Sequence, residues 1–385
     1  MKAMILAAGQ GTRARPITLT TPKPMLPLIN KPVLESIIEL LGRQGIDDIV
    51  INTSHLAPLI EDYFRDGERW GVSLSYSFEG HIKDGRIQAS ALGSAGGMRK
   101  IQDFSGFFDE TFVVMCGDAL VDLDIGAALQ FHREARALAT IVMRDVPAGQ
   151  VSKYGVVATD ARGRIRRFQE KPAPGEAVST TINTGIYIFE PEIFDHIPAG
   201  IAYDIGSQLF PDLVEKQLPF YGVTLPFQWL DIGSINDYWA ATSKLLKGEF
   251  HGYRLPGREI ETGIRCGSNI RMRRRAVTLH GAVYIGSGCS IGDGVEIQGP
   301  TVIGANSVIE PGARISECIL GDYTYLSSVA RLDRKLVIDG HCIQPDGVFV
   351  DCDQAQLGWL IGDARQQLEF DAAQHLLVKL ASRVA

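Results

Sequence analysis

No stretch of this chain approaches the roughly 18 consecutive apolar residues expected of a membrane-spanning helix, so no membrane span is expected. An excess of positive charge is also missing: 38 Lys and Arg stand against 45 Asp and Glu, a net charge of −7. A nucleic-acid binder would carry the opposite balance, so no nucleic-acid partner is expected. Any phosphate binding must then come from local cations and backbone amides. The six cysteines (Cys116, Cys266, Cys289, Cys318, Cys342, Cys352) contain no C-x-x-C pair and no regular framework. That argues for a reducing compartment, with the thiols used as small apolar residues. The opening MKAMILAAG has the look of a leader, but its apolar run stops at Gly9 and enters a polar, Arg-bearing loop. It reads as a buried strand, and the expected location is cytoplasmic. Disorder is excluded by composition, with 45% apolar and 22% charged residues, and 385 residues suffice for two domains.

From Lys2 to about Lys247, short apolar runs alternate with amphipathic segments. Ala3–Ala7, Asp48–Asn52, Val72–Ser77, Phe112–Cys116 and Ala139–Met143 read as strands, and Val33–Gln44, Leu59–Arg65 and Ile125–Ala135 carry helical spacing. Alternation of this kind implies strand–helix–strand units and a largely parallel sheet with helices on both faces. The run ending in Met115, Cys116, Gly117 and Asp118 is apolar up to its acidic end, as a central strand would be. Later runs, at 154–159, 164–169, 182–189 and 220–224, have fewer helices between them and suggest a mixed extension of the sheet that would close over a site.

Residues 248–262 lose this pattern and carry Gly, Pro and charge, which marks a linker between a domain at 1–247 and another at 263–352. In the second, Leu279, Ile285, Ile291, Ile297, Ile303, Ile309 and Ile315 recur every six residues. Two positions before each stands a small or β-branched residue: Val277, Val283, Cys289, Val295, Thr301, Ser307 and Ala313. A hexad is one flat face of a triangular coil, with the aliphatic residue inside, and the register predicts a left-handed parallel β-helix of a few turns. From about Gln354 to Val384, Leu357, Leu360, Ile361, Ala364, Leu368, Leu376, Leu377 and Leu380 fall at helical intervals. A C-terminal helix over 353–385 would cover the open end of the coil or a partner subunit.

The first strand runs into Gly9-Gln10-Gly11-Thr12-Arg13-Ala14-Arg15-Pro16, followed by Thr21-Pro22-Lys23-Pro24-Met25. Gly9 and Gly11 would let successive backbone N–H groups surround phosphate oxygens. Arg13 adds a planar fork of donors and Lys23 a mobile point charge, while the prolines at 16, 22, 24 and 27 stiffen the loop. A dinucleotide-binding fold would want a third glycine at position 14, where alanine stands, and G-x-x-x-x-G-K-[ST] is absent.

What remains, G-x-G-T-R with P-K-P-M, resembles the signature of the sugar-1-phosphate nucleotidylyltransferase family. Further motifs resemble that family in order: Leu92-Gly93-Ser94-Ala95-Gly96, Cys116-Gly117-Asp118, Phe168-Gln169-Glu170-Lys171-Pro172, Asn183-Thr184-Gly185 and Trp229-Leu230-Asp231-Ile232-Gly233. The resemblance implies an α/β fold, a Rossmann-like, mainly parallel mixed sheet ahead of the β-helix. It implies a nucleotide site at Ala8, Gly9, Gly11, Thr12, Arg13, Lys23, Gly93, Ser94 and Gly117. The sugar phosphate would fall to Gly155, Glu170, Lys171 and Asn183, and Mg2+ to Asp118 and Asp231. Arg13, Lys23, Asp118, Lys171 and Asp231 would be the catalytic set. The substrates would be a nucleoside triphosphate, UTP or GTP, and a sugar 1-phosphate.

These residue types suit the reaction, in which a phosphate oxygen attacks the α-phosphorus and pyrophosphate leaves. Both reactants are anions and the nucleophile is already ionised, so cations and positioning are needed rather than a general base. The bland alternatives are that Asp118 ends a strand in a turn, that Asp231 caps a helix beginning near Ser234, and that Lys171 is a solvated lysine. Likewise Arg271, Arg273, Arg274 and Arg275 read as a solvated face, or else as an interdomain or subunit contact.

For substrates, the solenoid tail and W-x-D-x-G resemble mannose-1-phosphate guanylyltransferases. The long link from Gly80 to Ala91, with a hairpin tip at Lys83-Asp84-Gly85-Arg86, together with Cys116-Gly117-Asp118-Ala119 and Tyr203-Asp204-Ile205-Gly206, more closely resembles cyanobacterial-type UTP–glucose-1-phosphate uridylyltransferases. A non-catalytic regulatory homologue and a bifunctional acyltransferase using His280 or His341 are the rival classes. A homo-oligomer assembled through the β-helix is expected.

Overall fold

The structure, a computed structural model, describes residues 1–83 and 86–366. It divides into two compact units that do not follow the linear order of the chain. The first holds residues 1–11, 21–26 and 32–230; the second holds 12–20, 27–31 and the described residues from Asp231 onward.

The first unit is organised by β1 (Lys2–Leu6), β2 (Asp48–Thr53), β3 (Ser73–Phe78), β4 (Phe112–Cys116), β5 (Ala139–Asp145), β6 (Gly155–Thr159), β7 (Ile165–Glu170), β8 (Thr181–Phe189) and β9 (Phe220–Thr224). They form one nine-stranded sheet in the order β7-β6-β8-β4-β1-β2-β3, with β5 pairing to β8 and β9. The segment from β4 through β3 is parallel, and Leu6 stands opposite both Asn52 and Cys116. The three central strands therefore end at one level. The chain leaves β1 toward β2 and β3 on one side and returns to β4 on the other, so the crevice beyond β1 and β4 is a topological switch point, where open sheets of this kind place ligands.

Helices α1 (Val33–Arg43), α2 (Ala57–Phe64), α3 (Ser94–Ser105) and α4 (Ile125–Glu134) cover the sheet. In α1 the residues Val33, Leu34, Ile37, Ile38, Leu40 and Leu41 are all buried, which is the apolar stripe read from its sequence. Gln44, just past its end, accepts from the Ile125 N–H and donates to the Leu123 carbonyl, fixing the start of α4. The link after Glu79 is a hairpin of strands Gly80–Lys83 and Arg86–Ala89, whose tip at 84–85 lies outside the described residues.

In the second unit the hexad repeat is a parallel β-helix, its short strands stacked into three sheets. Leu279 through Ile315 and the residues two before each, Val277 through Ala313, are all buried, so both columns line the interior. Strand partners are 18 residues apart in the first coils (Ile297 with Ile315) and 17 apart afterwards (Ile303 with Leu320). This shortening is why the period cannot be followed in the sequence past Ile315. The expected helix over 353–385 is corrected in its first part. Residues 361–363 are instead a strand antiparallel to Thr324–Leu326, because the open strand edge there is satisfied by backbone pairing. Residues 367–385 lie outside the described residues. Helix α5 (Ile235–Leu246) belongs to this unit as well.

Arg271, Arg273 and Arg275 are exposed, and the pairs Arg274 to Glu261 at 2.6 Å and Arg273 to Asp293 lie within the unit, as on the solvated face expected from sequence. Among the described residues no helix is long and apolar enough to cross a membrane.

Candidate active site

Beyond the ends of β1, β2 and β4 lies a cavity of about 240 Å³ lined by Ala8, Gly9, Lys23, Asn52, Glu79, Gly93, Ser94, Cys116 and Asp118, among others. Six of the expected residues therefore meet at one place. The Gly117 N–H donates to the Leu6 carbonyl at 2.9 Å, which ties the turn after β4 to the end of β1 and sets Asp118 at the cavity wall. Lys23 lies in a short 3-10 turn entered through Pro22, is buried, and donates through Nζ to Asp118 Oδ2. The ammonium thus neutralises a carboxylate that remains about one-third exposed. Asp118 does end a strand in a turn, yet it is also paired inside a cavity, so the bland reading of it is incomplete.

Two residues that sequence reasoning passed over complete the floor. Asn52 Oδ1 accepts from the Ala7 N–H at 2.8 Å, and its Nδ2 donates to Glu79 Oε1 at 2.6 Å. Glu79 Oε2 accepts from the Leu92 N–H at 2.8 Å, so one buried chain of hydrogen bonds joins the first glycine loop to the L-G-S-A-G loop. Glu79 is 1% exposed. Burial pushes its carboxyl above the ordinary range, against the pull of the Leu92 N–H, the Asn52 amide and Lys100. The available signal was a polar residue closing each parallel strand, Asn52 on β2 and Glu79 just after β3.

The sugar-phosphate candidates lie in the same unit but off this lining. Lys171 is exposed and holds Glu170 at 2.9 Å. Glu170 Oε2 stands 3.0 Å from where a β-carbon would sit on Gly155 and 2.8 Å from that of Gly206. Gly206 leads back to the cavity, because Asp204 accepts from the Ser94 hydroxyl at 2.9 Å. Asn183 donates to the Tyr187 hydroxyl and accepts from the Gly185 N–H. Gly185 in turn packs against Cys116, a β-carbon there falling 2.6 Å from its sulfur.

Thr12, Arg13 and Asp231 group in the second unit. Around the β-carbon position of Gly233 stand Asp231 Oδ2 at 2.8 Å, Asp237 Oδ2 at 3.1 Å and Arg13 Nη1 at 3.5 Å. Only glycine leaves room for two carboxylates and a guanidinium at one point of backbone. The cap of α5 is Ser234, whose side chain accepts from the Asp237 N–H, so Asp231 is not spent on capping.

Residues 2–248 match the family described as nucleotidyl transferase, and residues 282–317 match bacterial transferase hexapeptide (six repeats). The chain belongs to the nucleotidyl transferase family. Within it, the chain is 53% identical to a UTP–glucose-1-phosphate uridylyltransferase from Synechocystis sp. over 365 residues, 95% of this chain and 94% of that protein. It is 30% identical to a mannose-1-phosphate guanylyltransferase from Mycobacterium tuberculosis, covering 78% of this chain and 79% of that one. Among solved structures it resembles a candidate glucose-1-phosphate thymidylyltransferase from Bacillus anthracis in complex with sucrose. That match has a TM-score of 0.54 and 25% identity, over 63% of this chain and 94% of that one. A UDP-glucose pyrophosphorylase complexed with UDP-glucose shares the fold, with a TM-score of 0.54 and 23% identity over 64% of this chain and 98% of that one.

Proposed function

We propose that this enzyme transfers the uridylyl group of UTP to glucose 1-phosphate, giving UDP-glucose and pyrophosphate. The observation that carries the reading is the pairing of Lys23 with Asp118 in a cavity at the ends of parallel strands, in a chain 53% identical to a UTP–glucose-1-phosphate uridylyltransferase. The 30% identity to a mannose-1-phosphate guanylyltransferase supports GTP and mannose 1-phosphate as the second reading. The hairpin after Glu79 supports the first, because the long link it forms is part of the resemblance to uridylyltransferases.

A phosphate oxygen of the sugar phosphate attacks the α-phosphorus, a new P–O bond forms, and the bond to the bridging oxygen breaks as pyrophosphate departs. No proton need move, since the attacking oxygen is already ionised. The work of the chain is to hold two anions in line and absorb their charge. Gly9, Gly11 and the start of α3 at Ser94 offer backbone N–H groups, Lys23 and Arg13 take triphosphate charge, and Lys171 with Glu170 and Asn183 holds the sugar phosphate.

Asp118 and Asp231 would hold Mg2+. Among the described residues no group of three or more His, Cys, Asp or Glu is placed to hold a metal. A small number of carboxylates with hard oxygens suits an ion that keeps several waters and completes its shell with substrate phosphates. Bound there, it would withdraw charge from the α-phosphate. All six cysteines are free thiols, which supports a cytoplasmic setting, and assembly through the β-helix remains part of the proposal.

Asp118→Asn tests the reading. It keeps the size of the side chain and removes the charge, and turnover should fall by about 10²–10³-fold, the range seen when one stabilising group of an anionic transition state is lost. Normal turnover in that variant would overturn the metal assignment.

A further inference from the structure

The loop that carries Arg13 leaves the first glycine turn and joins the compact unit of the solenoid. Its far end is tied there: Thr20 Oγ1 donates to Asp339 Oδ2 at 2.9 Å, just past the strand Leu336–Ile338. Its near end brings Arg13 against Gly233, beside Asp231 and Asp237, at the entrance to α5. Helix α5 is in turn fixed to the coils by Trp239. The indole Nε1–H donates to the Glu317 carbonyl at 3.0 Å, and the Arg334 guanidinium covers the ring 5.0 Å from its centroid.

The solenoid is altered where Trp239 docks. His280, Gln298, Ser316 and Asp333 stack in register on successive coils, so the residues that follow them, Gly281, Gly299, Glu317 and Arg334, occupy one corner column. Gly281 takes the left-handed conformation there at φ +76, and Glu317 and Arg334 take it at φ +50 and +48 without being glycine. Non-glycine residues are kept in that region when their surroundings require it. Here Glu317 supplies the carbonyl and Arg334 the guanidinium that receive Trp239. The coil also shortens from 18 to 17 residues at this corner, between the pairs Ile297–Ile315 and Ile303–Leu320. Asn306 and Tyr323 hold the same conformation at another corner, so it is the shortened coil that sets this corner apart, and it coincides with the Trp239 contact.

We propose that Trp239 is a positioning residue for nucleotidyl transfer: by clamping α5 to the Glu317–Arg334 corner, it fixes Asp231 and Arg13. Asp339 holds the other end of the arginine loop. The inference rests on the roles given above to Arg13 and Asp231. It makes the solenoid a part of the catalytic apparatus rather than an appendage.

The experiment compares full-length wild type, Trp239→Ala, Trp239→Phe, Arg334→Ala and Asp231→Asn. Trp239→Ala should lower kcat by about 10–100-fold, the scale of a displacement of about 1 Å at a reacting group, and raise the magnesium concentration needed for half-maximal rate. Phe keeps a ring beneath Arg334 but loses the N–H, and should fall between. Amide exchange, read without substrate, should quicken over residues 12–20 and 231–234 in Trp239→Ala. Wild-type kcat, magnesium dependence and exchange in Trp239→Ala would overturn the clamp, even if its melting temperature fell. If Trp239→Ala fails to fold, Trp239→Phe and Arg334→Ala carry the same readouts, and unchanged values in both overturn it. Asp231→Asn separates the two ideas. A normal rate in that variant defeats the role given to Asp231, whereas a lost rate beside an unaffected Trp239→Ala defeats the clamp alone.

Discussion

A β-carbon added at Gly9 would meet nothing within 4 Å, although the residue lines the cavity that holds Lys23 and Asp118. The chain itself has no packing reason for glycine there, so a methyl group would intrude only on whatever fills the cavity. Gly9→Ala should leave the melting temperature unchanged and raise the KM for the triphosphate by about tenfold, equivalent to about 1.4 kcal/mol of binding. Steady-state kinetics beside a melting curve check this, and a lower melting temperature with unchanged KM would contradict it. Gly233 is the opposite case, since a β-carbon there would fall 2.8 Å from Asp231 Oδ2 within the protein itself. Sequence alone could select both Gly9 and Gly233 by their motifs but could not tell these two kinds of glycine apart. Asn52 and Glu79 were missed because each is an ordinary polar residue at the end of a strand. Their meaning comes from a network that joins Ala7, Asn52, Glu79 and Leu92 across distant parts of the chain.

At the scale of elements, the strands and helices with strong apolar periodicity were legible to within a residue or two; β4 is Phe112–Cys116 as read. Helix α3 was not, because SAGGMRKIQDFS has low helix propensity and its glycines serve packing. A β-carbon on Gly97 would sit 2.3 Å from Glu79 Oε1. Elsewhere, three elements are joined by a buried histidine. His132 on α4 meets Thr140 on β5 through Nδ1 at 2.7 Å and Glu190, just past β8, through Nε2 at 3.1 Å. Burial lowers the His132 pKa, with Glu190 opposing. The unfolded chain, with its histidine near pH 6.5, therefore binds the proton more readily than the folded one. The stability supplied by neutral His132 is present above about pH 6.5 and is lost as pH falls through the lower folded value, by at most about 1.4 kcal/mol per pH unit. Glu79, whose folded pKa is raised, runs the other way, so the test is a difference. Urea unfolding of wild type and His132→Gln at pH 7 and pH 5.5 should show a steeper acid loss in wild type. Equal losses would contradict the assignment.

For the whole molecule, the solenoid was the most legible part, because each hexad repeats one interior position and no distant contact is needed to recognise it. The grouping of the chain into units was the least legible. Residues 12–20 and 27–31 are flanked by sheet-forming sequence, yet they are held by the unit of the solenoid through contacts such as Thr20 with Asp339 and the Tyr253 hydroxyl with the Leu28 carbonyl. Such contacts span hundreds of residues and leave no periodic trace. The same grouping puts Lys23 and Asp118 on one scaffold and Arg13 and Asp231 on the other.

The most direct test of the account pairs each of four nucleoside triphosphates with the 1-phosphates of glucose, mannose and galactose, in magnesium, and follows pyrophosphate release. UTP with glucose 1-phosphate should give the highest kcat/KM, and omission of the sugar phosphate should abolish release. A faster reaction with GTP and mannose 1-phosphate, or no pyrophosphate from any pair, would contradict it.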